Sequence, residues 1–250
     1  MIRFENVCKS FGPQRVLDHV NLEVMKGETF VIVGSSGMGK SVTLKHMIRL
    51  LTPDEGRIFV EDDCISEASG RDMVRIRDRF GVLFQNSALL AWLSVFENVA
   101  LPLRERTAMA EEEIEVRVGE CLELVGLAAA GPKFPDEISG GMRKRAGLAR
   151  AIVMKPEIIL YDEPTSGLDP VISRSIDRLI DDMRVKLGVT SVVVTHDLHS
   201  ALGIATRIAL IKDGQFVVIA PPAEFIRSSH PDAKEFLEAQ YITRRGSWET

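Results

Sequence analysis

The chain opens with two runs in which apolar and polar residues alternate, Ile2 to Val7 and Val20 to Met25. Phe11-Gly12-Pro13 lies between them and Lys26-Gly27 follows. A period of two predicts short strands with one face in a core and one in water. The pattern then changes to Thr29-Phe-Val-Ile-Val33, a continuous apolar, β-rich run that predicts a strand buried on both faces. A glycine-rich stretch separates it from Ser41 to Leu51, where Val42, Leu44, Met47, Ile48 and Leu51 recur at helical spacing. The same logic returns downstream. Glu157 to Tyr161 predicts a buried strand, Val171 to Leu187 a helix, Thr190 to Thr195 a strand and Ala209 to Ile211 a further short one. Strands alternating with helices imply a parallel sheet covered by helices, hence an α/β fold that opens with short strands.

Between Ser87 and Met154 the strand runs vanish. Glu111 to Leu124, with Ile114, Val118, Cys121 and Leu122, predicts a helix, and Gly126 to Pro135 predicts a connector. The segment reads as a helical insertion into the α/β core. From about Pro221, Phe225, Phe236, Leu237, Tyr241 and Trp248 stand among charges, which predicts one or two docked helices and a frayed end.

The 250 residues, 45% of them apolar, are enough for one large α/β domain. Cys8, Cys64 and Cys121 lie far apart, with neither disulfide nor metal-site spacing, which points to a reducing compartment. A net charge of -5 speaks against a nucleic-acid partner, since binders of the phosphate backbone carry a basic surface. No apolar run reaches the roughly 18 to 20 residues of a membrane span, and the start has no apolar signal-peptide core. The expectation is a soluble, cytoplasmic protein of enzyme size.

Gly34-Ser35-Ser36-Gly37-Met38-Gly39-Lys40-Ser41 fits G-x-x-x-x-G-K-S between a predicted strand and a predicted helix. Glycines there let backbone N–H groups turn around a phosphate, and the helix beginning near Lys40 aims its positive end at the same anion. In such a loop Lys40 reaches the β- and γ-phosphates and the Ser41 hydroxyl holds Mg²⁺. Asp162 and Glu163 end the apolar run Ile158-Ile-Leu-Tyr, at the strand edge where open α/β sheets bind ligands. Asp162 suits Mg²⁺, and Glu163 suits polarising a water for attack on the γ-phosphate. His196 follows the next buried strand on that edge and is placed to bond a γ-phosphate oxygen.

Ser139, Gly140 and Gly141 open a helix expected from about Met142 to Met154, and they offer a hydroxyl and bare amides to a second anion. One nucleotide needs one phosphate loop. The second site is therefore expected to serve the nucleotide of another copy, in a twofold homodimer that sandwiches two ATP molecules. Arg143, Lys144 and Arg145 oppose the helix dipole in its first turn, which predicts an anion close by.

These motifs resemble the nucleotide-binding subunits of ATP-binding cassette transporters over nearly the whole chain. Gly34 to Ser41 is similar to their phosphate loop, Gln85 to their Q-loop glutamine and Ile138 to Met142 to their signature. Asp162-Glu163 is followed by Pro164 to Pro170, which resembles the D-loop, and His196 resembles the switch histidine. The resemblance implies a phosphate-loop nucleoside triphosphate hydrolase core with a parallel sheet, an N-terminal antiparallel β subdomain and an inserted helical subdomain. Within one domain over 1–250, the core with its β subdomain is expected over about 1–86 and 155–220, the helical part over about 87–154, and a tail over 221–250. ATP and Mg²⁺ are the implied cofactors. Phe11 is expected to stack on adenine, Val16 to lie beside the ribose and Val42 to line the loop. Gln85 is expected to reach Mg²⁺ or the attacking water. It also begins the segment Asn86 to Asn98, whose Leu89, Leu90, Trp92, Leu93 and Phe96 either pack in a core or form a socket for a membrane partner.

The signature departs from the family pattern at Met142, where glutamine is usual, so a direct hydrogen bond from that position does not carry over. Phe134 to Arg150 and Asn98 to Arg104 resemble the subgroup that moves phospholipids with Mce-domain carriers, the Mla type once described as toluene-tolerance transporters. That likeness implies an ATPase homodimer, an integral permease, an Mce-domain lipid carrier and a small STAS-domain protein. It also implies a peripheral location on the cytoplasmic face of the inner membrane. The alternatives are an ATPase subunit with amino-acid, lipoprotein or drug cargo, and a permease-free cassette ATPase acting on a ribosome or chromosome. The last usually carries two cassettes or a long coiled coil, and neither is present here.

Overall fold

Residues 1–240 are described by the structure, a computed structural model, and they group into two units. The first takes Met1–Arg77 and the chain from Thr190 onward, and the second takes Asp78–Val189.

In the first unit, β1 (Ile2–Phe11), β2 (Gln14–Val24), β4 (Glu55–Val60) and β5 (Asp63–Cys64) form an antiparallel sheet in the order β2-β1-β4-β5. The β1–β2 hairpin is longer than the alternation predicted. Its register shifts between Phe4 and Val7, and again between Val7 and Lys9, and Asn6 and His19 take left-handed φ near +50°. Such bulges break the period of two, which hides the outer half of each strand from a pattern reading.

The second sheet of this unit contains β3 (Thr29–Val33), β8 (Thr190–Val194), β9 (Arg207–Lys212) and β10 (Gln215–Ala220). β3 pairs in parallel with β8 and with β9, and β10 closes the edge antiparallel to β9. β3 and β8 are buried at every residue, as the continuous apolar runs require. The helices are α1 (Lys40–Met47), α2 (Gly70–Arg77), α7 (Leu198–Ile204), α8 (Pro222–Phe225) and α9 (Pro231–Ala239). The first of these stops short of the expected Leu51, because Arg49 turns left-handed at φ +50° and the chain closes with Arg49 N–H to His46 O. Phe225 and Leu237 are buried, so the tail docks as expected as far as residue 240, with Lys212 bridging to Asp232 and Glu235 of α9. Tyr241, Trp248 and the frayed end expected there lie outside the described residues.

The second unit holds β6 (Phe80–Leu83), α3 (Val95–Arg106), α4 (Glu111–Leu124), α5 (Gly140–Ile152), β7 (Ile158–Asp162) and α6 (Pro170–Leu187). Its elements within 87–154 are helical, and the strands β6 and β7 lie on either side of them in sequence. β6 pairs in parallel with β7, Leu83 opposite Tyr161, and α5 lies on β6. The close approach depends on Gly147, where a Cβ would stand 2.8 Å from Leu83 Cδ1. The signature helix begins at Gly140, two residues before the expected start. Among the described residues no helix is long and apolar enough to cross a membrane.

Candidate active site

β3 and β8 both end at one edge of the first unit's sheet, with Ile32 opposite Val194. The chain leaving β3 enters the glycine loop, and the chain leaving β8 reaches exposed His196 two residues later. Gly34 has φ +153°, and a Cβ there would lie 2.5 Å from Ile211 O. Gly39, the residue before α1, has φ +96°, and a Cβ would lie 2.9 Å from Val16 O. Both glycines are thus required by conformation and by space. Lys40 is buried, and its Nζ donates to Gly34 O at 2.8 Å and Ser35 O at 3.0 Å, which folds the loop around the ammonium. Ser36, Gly37 and Met38 complete the bend, and Ser41, Val42 and Thr43 begin the helix whose N-terminus faces it.

Val16 is brought against Gly39 by its carbonyl and side chain. Phe11 lies at the β1–β2 turn, 45% exposed, with Lys9 Nζ 5.7 Å from its ring centroid. An aromatic face open to solvent beside a cation suits stacking on a flat base. Asp197, next to His196, accepts from His199 and Ser200 N–H and caps α7, which fixes the position of the histidine's backbone.

The second unit repeats the arrangement. Leu83 and Tyr161 are opposite one another, so exposed Gln85 and the pair Asp162-Glu163 emerge together at the C-terminal ends of parallel strands. Asp162 and Glu163 are almost fully buried, and Glu163 takes a left-handed φ of +49°. A carboxylate residue held there costs about 1–3 kcal/mol of backbone strain, a feature that clusters at functional sites. Asp169 caps α6 by accepting from Val171 and Ile172 N–H at 3.0 Å.

Ser139 caps α5, accepting from Met142 N–H at 3.3 Å, with Gly140 and Gly141 forming the first turn. Gly141 packs on α6, since a Cβ would stand 2.5 Å from Ile172 Cγ2. The cations of the basic first turn have partners within the chain. Arg143 donates to Pro135 O and Ile138 O, and Arg145 to Val125 O and Ser175 Oγ. These two cations are satisfied mainly by neutral carbonyls. Burial pushes the Lys144 pKa below its ordinary value, against the upward pull of the Glu163 and Asp162 carboxylates.

Sequence reasoning missed Asn98. Its buried amide receives Leu90 N–H at 2.7 Å and donates to Leu90, Leu93 and Ser94 carbonyls at 3.0 Å. It pins the loop after Gln85, in which Trp92 is 74% exposed while Leu89, Leu90, Leu93 and Phe96 are half-buried. The apolar segment divides accordingly into packed residues and one projecting tryptophan. The Ser94-x-x-Glu97 capping box was the local signal that a helix starts here.

A glycine loop folded on a lysine at the start of a helix, with a buried carboxylate pair at the end of a parallel strand, defines a phosphate-loop nucleoside triphosphate hydrolase. Residues 17–166 match the family model described as ABC transporter. Over 241 residues the chain is 43% identical to the probable ribonucleotide transport ATP-binding protein mkl of Mycobacterium leprae, covering 96% of this chain and 70% of that protein. It is 37% identical over 240 residues to the intermembrane phospholipid transport system ATP-binding protein MlaF of Haemophilus influenzae, covering 96% and 91%. It is 42% identical over 222 residues to the methionine import ATP-binding protein MetN 1 of Pectobacterium atrosepticum, covering 87% and 65%. Among solved structures, the dimeric post-hydrolysis state of the ATP-binding cassette MJ0796 bound to ADP and Pi superposes with a TM-score of 0.82 at 34% identity, covering 89% of this chain and 99% of that one. The chain belongs to the ABC transporter family as an ATP-binding subunit, and it hydrolyses ATP.

Proposed function

We propose that this subunit powers phospholipid movement between membranes. Two copies close on ATP and drive an integral permease that works with an Mce-domain lipid carrier and a small STAS-domain protein. The observation that carries this reading is mutual coverage. The match to MlaF spans nearly all of both chains. The subunit sits on the cytoplasmic face of the inner membrane, held there by its permease. Methionine or another amino acid as cargo is the second reading, favoured by the 42% identity to MetN 1.

In the catalytic cycle, Lys40 and the amides of Gly34 to Ser41 hold the phosphates, Phe11 stacks on adenine, and Val16 and Val42 border the nucleotide. Ser41, Gln85 and Asp162 offer hydroxyl, amide and carboxylate oxygens, the hard donor set that Mg²⁺ takes. The ion would neutralise phosphate charge. Glu163 polarises the attacking water, and His196 senses the γ-phosphate. Ser139, Gly140 and Gly141 complete the site of the opposite copy, so hydrolysis waits for closure.

Affinity purification of the tagged Glu163→Gln chain from native membranes with ATP tests the reading. Recovery of a permease with an Mce-domain protein is expected. Recovery of a permease with a periplasmic solute-binding protein would replace it by the amino-acid reading.

A further inference from the structure

Lys144 is one of the few charged residues of the second unit that is buried, and it stands in the second turn of α5. Its Nζ donates to two backbone carbonyls from distant parts of the sequence, Gln85 O at 2.5 Å and Glu163 O at 2.9 Å. These carbonyls belong to the two residues that follow β6 and end the β7 run, the glutamine and the carboxylate assigned above to the metal and the water. Glu163 needs such a hold. Its left-handed φ of +49° is strained for a residue with a side chain, and its carbonyl also accepts Ser166 N–H at 3.2 Å.

A second cation of α5 does similar work on the same loop. Arg150 spreads its guanidinium over Ser87 O and Ala88 O, each at 2.7 Å, at two consecutive residues with left-handed φ of +59° and +47°. One helix thus grips the chain after β6 at three carbonyls and the chain after β7 at one, through two side chains. We propose that Lys144 is a positioning residue for ATP hydrolysis, which sets the Glu163 carboxylate and the Gln85 amide in one fixed relation by holding both backbones on one ammonium. This rests on the assignment of Glu163 and Gln85 made above. The proposed role is carried by the hydrogen bonds to the two carbonyls, and the pull of the Glu163 and Asp162 carboxylates on the ammonium is a separate contribution. A neutral donor of similar reach should replace it.

The test compares wild type, Lys144→Met and Lys144→Gln in steady-state ATPase, with melting temperature measured on each. Lys144→Met keeps the stem and removes the donors. It is expected to lower kcat by about a hundredfold, the scale of a displaced catalytic group, with KM within about threefold. Lys144→Gln is expected to recover at least about a third of the wild-type kcat. A Met variant within about twofold of wild-type kcat would overturn the proposal, as would a loss carried by KM or by a collapsed melting transition that Gln fails to reverse. The separate control is Glu163→Gln. If that variant keeps the wild-type rate, the assignment of the water-polarising role fails, whereas a silent Lys144→Met beside an inactive Glu163→Gln removes only the positioning role.

Discussion

Glu163, Gly34 and Gly39 all take a positive φ, and they differ in how far the sequence announces them. The glycines lie inside one eight-residue pattern, so their spacing alone identified the loop, and the structure supplies the reason in the carbonyls of Ile211 and Val16. Lys144 was read only as part of a basic first turn, because its two partners are 59 and 19 residues away and no local pattern records them. Cysteine chemistry belongs at this scale as well. Burial pushes the Cys121 thiol up to about 11, so little thiolate exists at neutral pH. Iodoacetamide applied to the native protein at pH 8 is expected to label half-buried Cys64 and spare Cys121 and buried Cys8. Peptide mapping that finds Cys121 alkylated as fast as Cys64 would contradict this.

At the scale of elements, long apolar runs and uninterrupted helical periods were legible. Thr29–Val33 and Glu111–Leu124 have the bounds expected of them. β4, β5, α2 and β10 were not legible, since each is short, partly exposed and held by pairing or packing rather than by its own pattern. Asn98 shows what tertiary context adds to α3. Asn98→Ala leaves the Leu90 N–H and three carbonyls without that partner, and it is expected to cost about 1–3 kcal/mol in urea unfolding. An unchanged midpoint would remove Asn98 from the role of loop pin. α1 carries a pH dependence. His46 is buried with Nδ1 on Val42 O at 2.7 Å, and burial holds its pKa below the ordinary histidine value of about 6.5. The unfolded chain therefore binds the proton first. Stability from this group is fully present above about pH 6.5 and is lost as pH falls through the lower folded value. His46→Gln should flatten the fall in melting temperature between about pH 7.5 and 5.5, and an identical slope in both proteins would count against it.

At the scale of the whole molecule, the net charge is -5, and among the described residues no helix is long and apolar enough to cross a membrane. The paired motifs add to that picture, because the glycine loop and the signature both stand at helix starts, and the proposed function assigns both to phosphate binding. The membership of the ABC transporter family makes the chain an ATPase, and the proposal adds that each complete site is built from two copies. The boundaries drawn from sequence placed the inserted part at about 87–154, whereas β6, β7 and α6 group with it in the second unit. Strand pairing between residues far apart in sequence decides such grouping, and a linear pattern does not record it. The shared-site claim is tested most directly by mixing two inactive chains, Lys40→Ala and Ser139→Arg, and measuring ATPase activity of isolated mixed dimers. One of the two composite sites is whole in such a dimer, so the account predicts recovery of up to about half the wild-type rate per dimer. Mixed dimers of verified composition that hydrolyse no faster than either parent would contradict it.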